Sequence, residues 1–213
     1  MKQPLVSCIM PTANREKYIP FAVKYFLEQD YPNKELVVID DGEHSIATLI
    51  PEDNRIKYFY MDPIGSIGLK RNYACGKAKG EIIIHWDDDD WHARDWLSAE
   101  VHFLSTSKAD ICGMQHIHYY SAINNRFITV TRQYAGIPNP MNWVHGATMA
   151  YWKSFWKEHQ FKDLHKGEDD DFIQSSGAKL FIHDYRDGFV CILHPHNTII
   201  REFENVKHKK QRL

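Results

Sequence analysis

The apolar positions of this 213-residue chain fall into blocks of two periods. Short, mainly apolar runs with β-branched or aromatic side chains occupy residues 5–10, 35–39, 56–60 and 82–86. The first is closed by Pro11 and the second by Asp40-Asp41-Gly42, and runs of that length read as strands buried on both faces. Between those two, Ile19, Val23, Phe26 and Leu27 share one stripe of a helix over residues 16–29. Pro20 lies in its first turn, where a missing N–H is tolerated, and Tyr31-Pro32-Asn33 ends it. A second helix is predicted from a Ser66 cap through Leu69, Tyr73 and Ala74 to Lys79, with Gly80 as its stop. This alternation predicts an α/β fold with a mostly parallel central sheet flanked by helices on both faces.

Beyond residue 92 the period changes more often. Residues 95–105 read as a helix and 110–121 as one long strand. Asn124-Asn125 suggests a turn into a strand at 126–131, an antiparallel hairpin and hence a smaller antiparallel portion. Residues 134–143 hold two prolines and a glycine and read as loop. A strand at 146–151, helices at 153–159 and 169–176, and a closing strand at 190–193 complete the expected order.

Composition changes this picture little. A chain of this length forms a substantial core as one domain, here residues 1–213. No stretch reaches the ~18 apolar residues of a membrane span. A net charge of −2 carries no nucleic-acid signal, and the basic stretch 207–212 reads as a solvated end. Cys8, Cys75, Cys112 and Cys191 are far apart, so buried, reduced thiols and a soluble protein of the cytoplasm are expected.

The strongest chemical signal is Asp87, Asp88, Asp89 and Asp90 at the end of the fourth apolar run. Neighbouring carboxylates raise one another's pKa or recruit a cation, and oxygen ligands suit Mg2+ or Mn2+. The C-terminal end of a parallel strand is also where such sheets bind ligands, which favours a site over a solvated acidic turn. Pro11, Thr12, Asn14 and Arg15 follow the first strand, and Asp40 and Asp41 the second, along the same edge. An aspartate there can accept base N–H or ribose hydroxyl groups, while loop amides and Arg15 can meet phosphate. Lys70 and Arg71, otherwise ordinary helix charges, can balance a diphosphate beside the aspartates. Glu168, Asp169, Asp170 and Asp171 open a predicted helix, where the dipole accounts for part of the cluster. The rest suggests a general base or a binder of acceptor hydroxyls, with Asp170 on the acceptor side. His194 and His196 follow the last strand and are expected to complete a metal shell. Trp91, Trp96, Trp152 and Trp156 read as core, and Trp143, in the Pro/Gly loop, as an acceptor-binding platform for a sugar ring.

Read in order, these stretches resemble the GT-A glycosyltransferases, and family 2 among them. The resemblance rests on Val6-Ser7-Cys8-Ile9-Met10-Pro11-Thr12-Ala13-Asn14-Arg15, on Glu35-Leu36-Val37-Val38-Ile39-Asp40-Asp41-Gly42, and on Arg71-Asn72. It continues through Ala78-Lys79-Gly80-Glu81 into Trp86 and the aspartates, then Gly146-Ala147, Gly167-Glu168-Asp169 and the segment 194–198. It implies a Rossmann-like nucleotide-diphosphosugar transferase fold, with a nucleotide-binding half at 1–92, an acceptor-binding half at 93–200 and a basic tail at 201–213. It further implies a nucleotide-diphosphosugar donor, UDP-sugar ahead of GDP- or TDP-sugar, and a glycan or glycoconjugate acceptor. Mn2+ or Mg2+ would sit on Asp87 and Asp89, Asp89 being the direct ligand, and Asp88 would face the ribose. Asp40 or Asp41 would read the base. Asp169 would be the catalytic base, with Glu168 beside it binding acceptor, in an inverting transfer; retention stays open. The loop 134–145 would close over the donor and exclude water.

Departures from the pattern carry information too. Ala13 stands where the family often has an aromatic residue, so base stacking comes from elsewhere. No Gln-x-x-Arg-Trp follows Glu168-Asp169 and no membrane span is evident, which speaks against a processive polysaccharide synthase. The span also resembles the soluble glycosyltransferases of large algal DNA viruses, and equally suits one domain of a longer chain. A sugar-nucleotide nucleotidyltransferase would carry a glycine-rich phosphate loop, and Pro11-Thr12-Ala13-Asn14-Arg15 has no glycine. An inactive sugar- or metal-binding module would not need both acidic clusters.

Overall fold

The computed structural model describes residues 3–129 and 143–197. Its first half runs β1 (Val6–Thr12), α1 (Ile19–Leu27), β2 (Lys34–Asp40), β3 (Ile56–Tyr60), α2 (Ile67–Lys77), β4 (Ile82–His85) and β5 (Trp91–His92). Then follow α3 (Trp96–Ser107), β6 (Ile111–Gly113), β7 (His118–Ser121), β8 (Arg126–Thr129), β9 (Ala150–Trp152), α4 (Lys153–Glu158), α5 (Glu168–Ser176), β10 (Leu180–Ile182) and β11 (Phe189–Leu193).

The large sheet has the order β10-β6-β9-β4-β1-β2-β3 and is parallel except where β9 runs against β4 and β6. A smaller sheet, β5-β11-β7-β8, is antiparallel at β5–β11 and β7–β8 and parallel at β11–β7. The expected α/β architecture with a smaller antiparallel portion is therefore present. Because β1, β2 and β4 are buried along their length, alternate side chains fill two cores. Cys8, Met10, Leu36, Val38, Ile82 and Ile84 pack with Phe26 of α1 and Leu97 of α3. Ile9, Val37, Ile39 and Ile83 pack with Cys75 of α2 and Phe172 of α5 on the other face. Each such side chain contributes about 1.5–3 kcal/mol by leaving water. Ser66 caps α2 as expected, its Oγ accepting the Leu69 N–H at 3.3 Å, and all four cysteines are buried and free.

Several expectations need correction. β1 does not stop at Pro11 but runs through it to Thr12. The Ile9 carbonyl accepts the Trp86 N–H, so Ile9 and, by alternation, Pro11 face β4, whose ladder ends at the Ile9–His85 pair. The donor that proline lacks therefore falls beyond the ladder. Helix α1 starts at Ile19 rather than residue 16, which lies in the preceding turn. The stretch 110–121 is not one strand: β6 belongs to the large sheet and β7 to the small one. Met114 and Ile117, in the crossing between them, are buried on either side of Gln115-His116, so a single polar pair was all that separated the two strands in the sequence. Gly80 does not end α2, because Ala78 is already extended. A Cβ at Gly80 would lie 2.6 Å from the Ser7 backbone nitrogen, so close approach to β1 requires the glycine. At residues 146–151 a 3-10 turn, Gly146–Thr148, precedes the shorter strand β9. Most of the loop at 134–145 and the whole tail at 201–213 lie outside the described residues. Among the described residues no helix is long and apolar enough to cross a membrane.

Candidate active site

Parallel pairing brings the C-terminal ends of β1, β2 and β4 to one edge, and the loop after β4 carries the aspartates. Thr12 Oγ1, at the end of β1, donates to Asp88 Oδ2 at 2.5 Å. Burial and then the adjacent Asp89 push the Asp88 carboxyl up to about 7. Burial also raises Asp87, with Arg71 opposing and Asp89 and Asp169 adding to the rise. Asp89 Oδ2 accepts hydrogen bonds from Arg15 Nη1 at 2.9 Å and Asn197 Nδ2 at 3.1 Å, and lies 2.9 Å from His194 Nε2. Asp90 turns away from these three. Its Oδ1 accepts the Ile192 N–H at 3.0 Å, anchoring the acidic loop to β11.

The cations interleave with these carboxylates. Lys70 pairs with Asp41 and also donates to the Thr12 carbonyl at 3.3 Å. Arg71 is buried between the two acidic clusters: its Nε donates to Glu168 Oε1 at 3.2 Å and its Nη2 lies 3.6 Å from Asp87 Oδ1. Burial works against the Arg71 charge, but Asp87, Glu168 and Asp169 outweigh it and raise its pKa. Burial raises Glu168, with Arg71 opposing. Arg71 Nη1 is buried without a hydrogen-bond partner among the described residues.

Asp40 and Asp41 face different partners. Asp40 is fully buried; its Oδ1 accepts the Gly42 N–H at 3.0 Å, and its Oδ2 accepts the Ile46 N–H at 3.1 Å and the Tyr58 hydroxyl at 2.7 Å. It builds the turn, and Asp41 is the carboxylate set against Lys70. Asn14, in the left-handed region at φ 55°, accepts the Glu43 N–H at 2.8 Å and holds the same turn from the β1 side.

On the far side, Gly167, φ 75°, stands at the N-cap of α5, which has four acidic residues in its first turn and no side-chain cap. Asp169 Oδ1 accepts the Asp170 N–H at 2.9 Å, and the rest of its carboxylate packs against the α-carbon of Gly146. Asp170 is half-buried beside it. His85, at the end of β4, is fully buried with Nδ1 2.6 Å from the Gly146 carbonyl; burial and Arg71 push its pKa well below the usual range.

His194 stacks on Tyr18 with ring centres 4.3 Å apart. His196 is exposed: its carbonyl accepts Arg15 Nη2 at 3.1 Å, while its ring centre stands 6.1 Å from that of His194. Trp143 is buried rather than presented, edge-on to His145 at 5.0 Å. Trp96 and Trp156 are buried and Trp91 and Trp152 half-buried, as expected of core. Among the described residues no three His, Cys, Asp or Glu side chains group closely enough to hold a metal by themselves. Asp87 and Asp89 nevertheless offer the oxygen donors that Mn2+ and Mg2+ accept when phosphates and water fill the remaining positions, and the His194 imidazole stands beside Asp89. Sequence reasoning missed Asn197, Tyr18 and His85. Asn197 carried a faint signal in His194-Pro195-His196-Asn197, and the other two carried none.

The model of the family described as glycosyl transferase family 2 matches residues 7–186, so the chain belongs to that family. An uncharacterized glycosyltransferase of Haemophilus influenzae is 36% identical over 109 residues, 49% of this chain and 44% of that protein. A GalNAc(5)-diNAcBac-PP-undecaprenol beta-1,3-glucosyltransferase of Campylobacter jejuni is 35% identical over 94 residues, 41% of this chain and 30% of that protein. The chain thus spans less than half the length of either relative. Among solved structures, S. aureus TarS 1-349 in complex with UDP-GlcNAc aligns at TM-score 0.72 and 21% identity, covering 92% of this chain and 60% of that one. The mannosyltransferase PcManGT from Pyrobaculum calidifontis, in complex with GDP-Man and Mn2+, aligns at 0.70 and 19%, covering 93% and 59%. At these identities the structures share the fold.

Proposed function

We propose that this member of glycosyl transferase family 2 moves a sugar from a nucleotide-diphosphosugar, a UDP-sugar by preference, to a hydroxyl of a glycan or glycoconjugate. The observation that carries the reading is Arg71, buried between Asp87 and Glu168 with one donor unpartnered. It joins a donor-side cluster of cations and aspartates to an acceptor-side pair of carboxylates. Asp41 would accept the base N3–H, and Asp88, oriented by Thr12, would face the ribose. Arg15, Lys70 and Arg71 would oppose the diphosphate charge. Asp87 and Asp89, with His194, would hold Mn2+ or Mg2+, which supplies Lewis-acid stabilisation of the departing diphosphate. Asp169 would take the proton of the acceptor hydroxyl, a step expected to contribute ~10²–10⁴-fold. Glu168 and Asp170 would bind the acceptor. Asp169 as the one base on the acceptor side supports a single in-line displacement, with inversion at the anomeric carbon.

The solved relatives, one bound to UDP-GlcNAc and one to GDP-Man with Mn2+, support a nucleotide-diphosphosugar donor. Thermal unfolding with UDP, GDP or TDP, each with and without Mn2+, tests the reading. UDP with Mn2+ should raise the midpoint most, and Asp89→Ala should lose the dependence on metal. Greater stabilisation by GDP or TDP would displace the UDP assignment, and none by any nucleotide would displace the function.

A further inference from the structure

We infer that His85 is a positioning residue for this reaction: through the Gly146 carbonyl it holds open the space in which the Asp169 carboxylate sits. The inference rests on the reading of Asp169 as the base. His85 ends the run Ile82-Ile83-Ile84, where another apolar residue would cost less to bury. A buried imidazole without partners costs about 1–3 kcal/mol, and here both nitrogens are engaged. Nδ1 is 2.6 Å from the Gly146 carbonyl, which can only accept, so Nδ1 carries the proton. Nε2 then presents a lone pair to the Tyr151 hydroxyl at 3.3 Å, and that hydroxyl in turn faces Cys75 Sγ at 3.3 Å. The ring thereby has one tautomer and one orientation.

The other end of the contact is equally constrained. Gly146 opens the 3-10 turn before β9, and a Cβ there would lie 2.9 Å from Asp169 Cγ and 3.0 Å from its Cβ. The base therefore rests on a backbone atom whose position His85 sets. Because Trp86 and Asp87 follow His85 directly, one strand end places both the donor-side carboxylates and the support of the base.

An asparagine amide can stand at the Nδ1 position and a glutamine amide at the Nε2 position, so the pair separates the two contacts at equal polarity. Wild type, His85→Asn and His85→Gln are compared for UDP release from UDP-GlcNAc with Mn2+, with cooperative thermal unfolding as the check on folding. His85→Asn should keep kcat within about fivefold, whereas His85→Gln should lose about 10²-fold, the order associated with a 1 Å misplacement. KM for the donor should be the same in both. Equal kcat values for the two variants overturn the inference. No turnover by wild type with UDP-GlcNAc or GDP-mannose counts against the transferase reading instead, and crystal structures then decide. A shift of about 1 Å at Gly146 and Asp169 in His85→Gln alone supports the inference, and unmoved atoms overturn it.

Discussion

The α-carbon of Gly146 and the carboxylate of Asp169 are in such close contact that a methyl group on the glycine would lie 2.9 Å from Asp169 Cγ. A 3-10 turn and a helix start, distant in sequence, meet there without room for a side chain. Gly146→Ala should push Asp169 aside, lowering turnover by about 10²-fold while donor affinity holds. Overpacking should cost about 1–3 kcal/mol of stability. Steady-state kinetics with UDP titration checks this, and wild-type turnover would contradict it.

Arg71 separates the buried Glu168 from the half-buried Asp87, which would otherwise face each other without a counter-charge. Arg71→Met should destabilise the fold by about 3–5 kcal/mol in urea unfolding, as expected when one partner of a buried ion pair is removed. Adding Glu168→Gln should recover part of that loss. A single variant as stable as wild type would show that the network contributes nothing to folding.

His92, in β5, stacks on Trp86 with ring centres 3.8 Å apart, and neither ring nitrogen has a hydrogen-bond partner among the described residues. Burial lowers its pKa from 6.5 to about 3. Between those values the unfolded chain binds a proton that the folded chain refuses, so stability is lost as pH falls through that window. His92→Phe should be more stable by about 1–3 kcal/mol at neutral pH, since two unsatisfied groups disappear. The gap should widen toward pH ~4, because the protonation that penalises wild type is gone. Urea unfolding at several pH values checks this, and a constant gap would contradict the sign.

Much of this was legible in the sequence where the signal is local. The Ser66 cap, the strand runs at β2, β3 and β4, and the placing of both acidic clusters depend on neighbours within one or two turns. Apart from the start of α1, a local boundary, the misses come from long-range pairing. The crossing at residues 114–117 carries only Gln115-His116 as a polar break, between the buried Met114 and Ile117, and no glycine or proline marks the change of sheet there. Gly80 looked like a helix stop, yet its reason is the approach of Ser7 across the sheet. Asp40 and Asp41 are indistinguishable as letters; only the fold shows Asp40 accepting from Gly42, Ile46 and Tyr58. His85 passed as the end of an apolar run because its partners, Gly146 and Tyr151, lie 61 and 66 residues away.

The proposed sugar transfer from a nucleotide-diphosphosugar turns on Asp169 as its base. The most direct measurement is the rate of UDP release from UDP-GlcNAc with Mn2+ by wild type and Asp169→Asn, alongside the affinity of each for UDP. Turnover in the variant should fall by about 10²–10⁴-fold while UDP affinity stays the same, because the change removes the base and leaves the diphosphate contacts. Near-wild-type turnover by Asp169→Asn would contradict the claim.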